Sequence, residues 1–355
     1  MNKKNKKELQ FNLESDAQLT RLAANFFQSK TAGEYSANDV AVVKEVFYHT
    51  LQSKPLKKYK VALCFICINP PYWEYIAKTI EGAKKFFLPE HQVDYFIWSD
   101  IPSNPEVIKQ KIAEDLLKRG EAKASVIGSD LVSILLDDNK KKEFDSLVEG
   151  LAKVRKEINI FETEATQWPM PTLFRYHLFL QQEEKLQEYD YIFYCDIDMI
   201  FANYVGDEIL SEGLTAALHP MYALRHNFIA PFEPNPQSAA YVPFYNTYYA
   251  GGFQGGKSAD FIKAMKEMRK TIDLDFEKNN YIARWNDESH WNKYLKDNPP
   301  TITLSPAYIY PDSLINEYYI KVWGRNYSPK LITLTKRFTV NKEGAVAIQE
   351  QLKTL

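Results

Sequence analysis

The run KVALCFICI (residues 60–68) is apolar on both sides of an extended chain, so a strand there must be covered from above and below. The sequence after it supplies the cover. NPPYWEYIAKTIEGAKKFF (69–87) reads as a turn and an amphipathic helix, and VDYFIWSD (93–100) as a second strand ending on Asp100. Strand, helix and strand at this spacing form a βαβ unit. A further step follows, with TLFRYHLFLQQEEKLQ (172–187) as helix and YDYIFYCDIDMIF (189–201) as a strand that runs into acidic residues. The fold class expected is α/β. Around this core the sequence sets an N-terminal helical extension over 1–57, closed by Pro55 and a basic cluster, and a mostly helical insertion over about 102–165. Within that insertion, residues 125–139 fit a strand-like piece or another helix.

Composition narrows the partners. A formal net charge of -2 gives no general attraction to nucleic acid or to an acidic membrane. Aromatic residues make up 14% of the chain, which suits either an aromatic-rich core or sugar recognition, where flat rings pack on C–H faces. The three cysteines, Cys64, Cys67 and Cys195, are too few for a disulfide scaffold. Cys64 and Cys67 form a CxxC, but positions three apart on a strand point to opposite faces, so the pair reads as core rather than metal ligands. The basic N-terminus lacks the apolar segment of a secretory signal, and no stretch approaches the roughly 20 apolar residues of a membrane span. A soluble, cytoplasmic protein with no transmembrane segment is the expectation.

The sharpest local feature is Asp196-Ile197-Asp198, directly after the apolar YIFYC. Carboxylates at i and i+2 leave an extended chain on one side, at the strand end where open α/β sheets bind ligands. Buried without partners they would be costly, and a divalent cation bridged to a diphosphate relieves them. Taken alone, the pattern fits a turn or cap more readily than a metal site. Further segments add weight: LHPMY (218–222), NPQSAAYVP (235–243), TYYAGGFQGG (247–256) and WNDESHWNKYL (285–295). The glycines let backbone approach a ligand, though not in a P-loop pattern. Asp287 and Glu288 at a helix start fit a dipole-favoured cap when read by position alone.

In the order DID, LHPMY, PQSAAYVP, YYAGGFQGG, WNDESHWNKYL and LSPAY, these segments resemble family 6 glycosyltransferases, over about residues 58–343. The family includes the blood-group A and B transferases, α1,3-galactosyltransferase and soluble bacterial relatives. The resemblance implies a GT-A fold, with a Rossmann-like nucleotide-binding half fused to an acceptor-binding half, over residues 58–355. It implies retaining transfer of GalNAc or Gal from a UDP-sugar donor, in α1,3 linkage, to a β-galactoside-type glycan acceptor. By the same resemblance Asp196 and Asp198 hold Mn2+ or Mg2+, and Glu288 is the nucleophile or the stabiliser of an oxocarbenium-like transition state. Tyr72, Asp100, Arg175, Asp287, Lys336 and Lys342 fall among the donor contacts, as do Ala250, Gly251 and Gly252, which align with the stretch that separates Gal from GalNAc users. His219, Trp285, Glu288 and Asp312 fall among the acceptor contacts. Retention needs a covalent glycosyl-enzyme or front-face attack beside the leaving UDP, and one glutamate opposite a metal-bound diphosphate fits both.

Two departures bear on the acceptor. Asn286 stands where relatives commonly have His, and Asp312 falls one residue later than the family's aspartate. Small Ala250 and Gly252 leave room beside the sugar C2, which favours UDP-GalNAc, and a methyl at 252 would intrude there. The alternatives are a UDP-Gal-dependent enzyme acting on an unrelated glycan and a non-catalytic carbohydrate-binding homologue. A metal-dependent phosphotransferase or nuclease would need a further carboxylate and a more basic surface.

Overall fold

The computed structural model describes residues 57–126, 132–136, 138–223, 231–243, 245, 247–312 and 329–336. The N-terminal extension, save residue 57, lies outside the described residues, as does Lys342. Strands β1 (Lys60–Cys67), β2 (Gln92–Ser99), β5 (Asn159–Glu162), β6 (Tyr191–Cys195), β8 (Leu214–Leu218), β9 (Tyr249–Lys257) and β10 (Ile302–Leu304) form one seven-stranded sheet. Its order is β10-β8-β9-β6-β1-β2-β5, and only β9 pairs antiparallel with its neighbours. This mixed α/β architecture with a mostly parallel sheet is the GT-A-like fold expected.

Strand periodicity accounts for the two-sided core. On β1, Val61, Leu63, Phe65 and Cys67 join one apolar cluster, while Ala62, Cys64 and Ile66 join the other. The CxxC cysteines therefore face opposite layers, as their spacing requires, and burial pushes both thiols up. The first layer is roofed by helix α1 (Pro70–Phe86), which starts on prolines and buries Trp73, Ile76, Ile80 and Ala83. Helices α2 (Pro105–Lys118) and α3 (Asp138–Glu157) continue that roof through Ile108, Ile112, Leu151 and Val154. The second layer is covered by α5 (Ser258–Asp273), burying Phe261, Met265 and Met268, and by α6 (Asn286–Asp297), burying Trp291 and Leu295. The helix read over 172–187 is broken into short pieces, of which α4 (Arg175–Leu180) carries Arg175 into the interior.

The 102–165 stretch is more than a helical insertion. Residues 123–126 and 132–135 pair as a hairpin, β3 and β4, and β5 completes the main sheet by pairing in parallel with β2. Its strand is short, with exposed ends and two half-buried central residues at the sheet edge, so the charged helical periodicity before it concealed it. The glycine-rich stretch is β9 itself, an interior strand of the sheet. A Cβ at Gly255 would overlap the Ile192 carbonyl, and Gly256 has a φ of 140°, so glycine there permits tight strand packing rather than ligand access.

A second, three-stranded sheet is small but sets the site. Strands β7 (Met199–Phe201), β11 (Tyr310–Pro311) and β12 (Leu331–Thr333) run in the order β11-β12-β7. Thr333 lies opposite Met199, and Leu334 N donates to Asp198 O at 2.9 Å. Among the described residues no helix is long and apolar enough to cross a membrane.

Candidate active site

Sheet register places the acidic residues. Cys195 on β6 lies opposite Phe253 on β9, so Asp196 emerges opposite Gly252, and its N–H donates to the Gly252 carbonyl at 2.8 Å. Asp198 immediately precedes β7, and the β7–β12 pairing brings Lys336 across from it, with Nζ 3.5 Å from Asp198 Oδ2. Glu288 lies in the first turn of α6, which Asn292 laces to β9: Oδ1 accepts from Tyr249 N at 2.8 Å and Nδ2 donates to Tyr249 O at 2.8 Å. These elements enclose a cleft of about 240 Å³ at the strand ends, lined by Asn69, Tyr72, Arg175, Tyr194, Asp196, Asp198, Gly251, Gly252, Trp285, Asp287, Glu288 and Lys336 among others.

Inside the cleft the polar groups are fixed in pairs. Glu288 Oε2 accepts from Gly251 N at 2.7 Å, and Oε1 accepts from the Tyr248 hydroxyl at 2.7 Å. Arg175, 3% exposed, donates from Nη1 to Gly251 O at 3.0 Å and lies 4.2 Å over the Tyr194 ring. Its Nε stands 3.1 Å from Asp287 Oδ2, an ion pair inside the protein, though that oxygen takes no well-aligned hydrogen bond among the described residues. Tyr194 donates to Asp196. Lys336 Nζ lies 5.2 Å from the centre of the Tyr72 ring.

Charge is held here against its natural cost. Burial raises Asp287 to about 7, with Asp196 and Glu288 adding to the shift and Arg175 opposing it. Burial likewise raises Glu288 to about 6, against the donors on its two oxygens, and raises Asp198 to about 6 with the help of Asp196. For Lys336, burial disfavours the cation, but Asp198, Tyr72 and Asp196 outweigh it and its pKa rises. Two neighbouring carboxylates, one of them only 5% exposed, are hard oxygen donors that suit a divalent cation sharing phosphate oxygens. No cluster of three or more His, Cys, Asp or Glu suited to a metal occurs among the described residues, so a cation here would draw its other ligands from substrate and water.

The expected site residues divide. Tyr72, Arg175, Asp196, Asp198, Gly251, Gly252, Trp285, Asp287, Glu288 and Lys336 line the cleft, and Trp285 stands 45% exposed there. Asp100 does not: its Oδ1 accepts from Asn69 N and Trp73 Nε1, both at 2.9 Å, and so braces the entry to α1. Ala250 is buried in the apolar layer beneath and is not among the lining residues. Asp312 accepts from Thr335 N at 2.8 Å and from Thr335 Oγ1 at 2.5 Å, anchoring the segment that carries Lys336. His219 lies outside the lining, packed against Tyr222 and Tyr248, and burial lowers it to about 4. Asn286, also outside the lining, has a φ of 51°, a left-handed conformation that asparagine tolerates.

Gly252 plays a role that its alignment did not suggest. A methyl there would come within 2.7 Å of Asp196 Oδ2 and 2.8 Å of Ile309 Cδ1, so it meets the acidic motif. Sequence reasoning missed Tyr194 and Tyr248. Tyr194 carried a signal, since it precedes Asp196 by two and shares its side of the strand. Tyr248 carried none, because its partner Glu288 is 40 residues away in sequence. The NPQSAAYVP segment is structural: Ser238 Oγ and Ala239 N both donate to buried Asp275, at 2.5 and 2.7 Å.

Comparison with known proteins places the chain in a family. Residues 153–330 match the model of glycosyltransferase family 6. The histo-blood group ABO system transferase 1 of Rattus norvegicus is 28% identical over 249 residues, 69% of this chain and 59% of the relative. The globoside alpha-1,3-N-acetylgalactosaminyltransferase 1 of Gallus gallus is 29% identical over 243 residues, 68% of this chain and 59% of the relative. The O-antigen biosynthesis glycosyltransferase WbnI of Escherichia coli is 29% identical over 182 residues, 50% of this chain and 73% of the relative. The chain thus spans 59% of the length of the two animal relatives.

Proposed function

The chain belongs to glycosyltransferase family 6, and from that membership we propose that it transfers a sugar, with retention, from a UDP-sugar to a glycan acceptor. GalNAc is the preferred sugar, the bond formed is α1,3, and the acceptor ends in a β-galactoside. The observation that carries this reading is Glu288: a half-buried carboxylate with both oxygens fixed by donors, in one cleft with Asp196, Asp198 and Lys336. Such a group has the charge and the rigidity to stabilise or capture an oxocarbenium-like centre.

The remaining residues suit the other parts of the reaction. Arg175 and Asp287, held together inside the protein, offer a donor and an acceptor to sugar hydroxyls. Lys336 and the Tyr72 ring flank the place of a diphosphate, and Trp285 presents a partly exposed face to an acceptor sugar. Asp196 and Asp198 would hold Mn2+ or Mg2+, which when bound stabilises the departing diphosphate as a Lewis acid.

Release of UDP from UDP-GalNAc and UDP-Gal, with a β-galactoside present and with or without Mn2+, tests the reading. Turnover that requires a divalent cation, and falls at least about a hundredfold in Asp198→Asn, is the expected result. Full turnover in excess chelator would remove the metal from the reading.

A further inference from the structure

We propose that Tyr248 is the positioning residue for Glu288, setting the carboxylate's orientation for the glycosyl step. This rests on the reading of Glu288 as the reacting carboxylate. The two oxygens of Glu288 are not held alike. Oε2 accepts from the Gly251 backbone, which the sheet fixes, while Oε1 accepts from the Tyr248 hydroxyl at 2.7 Å. With one donor alone the carboxylate can turn about its last torsion, a broad, nearly two-fold well; with both it has one orientation.

Tyr248 is built for that task. It stands one residue before β9, 3% exposed, and its ring is walled by Tyr222, Phe232 and His219 in edge contacts at 5.1 to 5.7 Å. His219 N donates to the Tyr248 carbonyl at 3.0 Å, which fixes the backbone from which the ring projects. Burial and the charge of Glu288 push the phenol above the ordinary tyrosine range, so its proton stays in place and it remains a donor. The charged and titratable groups that also bear on Glu288 are Asp196, Asp287, Arg175 and Tyr176, and none of them hydrogen-bonds to its Oε1 among the described residues.

The test compares kcat and donor KM in the full chain for the parent, Tyr248→Phe, Glu288→Gln and the double variant. Tyr248→Phe keeps the ring and its packing, and thermal unfolding checks that it folds. The expected result is a kcat about ten- to a hundredfold lower, with donor KM within about twofold, as for loss of a hydrogen bond to a charged group. In the Glu288→Gln background the same change should have less effect, because the group it positions is gone. A parent-like kcat in Tyr248→Phe beside an impaired Glu288→Gln would overturn the positioning role and leave the Glu288 reading intact. A raised KM at unchanged kcat would also overturn it. A Glu288→Gln with parent kcat would overturn both.

Discussion

Glu288 sits where burial and hydrogen bonding oppose each other, and that balance has a kinetic consequence. Its carboxyl is raised to about 6, burial being the largest cause, with Tyr248 and Gly251 pulling it down. The group works as a carboxylate, so kcat should fall as pH drops through about 6 and the group takes a proton. Glu288→Gln should lower kcat about a hundredfold or more while donor KM changes little, and a variant with parent kcat would reduce Glu288 to a helix-start residue. Gly252 makes a second residue-scale case. Its Cβ position faces Asp196 Oδ2 and Ile309 Cδ1, ends of side chains that can rotate. Gly252→Ala should shift kcat/KM toward UDP-Gal and also raise the Mn2+ concentration needed for half-maximal rate. A shifted donor ratio with an unchanged metal titration would show that the methyl acts on the sugar directly and spares Asp196. Asp196, Asp198 and Glu288 stood out in the sequence as carboxylates at a strand end and a helix start. Tyr248 and the true surroundings of Gly252 did not, because both depend on side chains distant in sequence meeting across a strand.

At the scale of elements, the site depends on two registers and one lacing. β6 against β9 sets Asp196 opposite Gly252, β7 against β12 sets Asp198 near Lys336, and Asn292 holds α6 on β9. Asn292 is 1% exposed and also donates to Glu288 O at 2.9 Å. Asn292→Ala would strip Tyr249 N and O of that partner in the interior, so a loss of about 2–3 kcal/mol in unfolding free energy is expected from denaturant melts. A change within about 0.5 kcal/mol would mean that α6 is held by Trp291 and Leu295 packing alone. The strands β1, β2 and β6 were legible because they are continuous apolar runs, and α1 because its apolar positions repeat at helical spacing. β5 was not, since four residues, two half-buried and two exposed, after a charged helix carry no period of their own. β9 was not, since glycine has no side chain to alternate.

For the whole molecule, the sheet order and the cleft at its strand ends bring together residues from 66 to 336 that no local pattern joins. The ordered succession of motifs pointed to the family, and the family gave the expectation of the GT-A-like sheet. Asp100, Ala250 and Asp312 lie outside the cleft lining, because an aligned position names a place in the chain and not the direction of a side chain. The central claim is retaining sugar transfer by this cleft. It is tested most directly by the anomeric configuration of the product that the full chain forms from UDP-α-GalNAc, a β-galactoside and Mn2+, read from the proton coupling at the new anomeric carbon. A small coupling, marking an α-linked product that disappears in Glu288→Gln, is the expected result. A large coupling, marking a β-linked product, or transfer undiminished in Glu288→Gln, would contradict it.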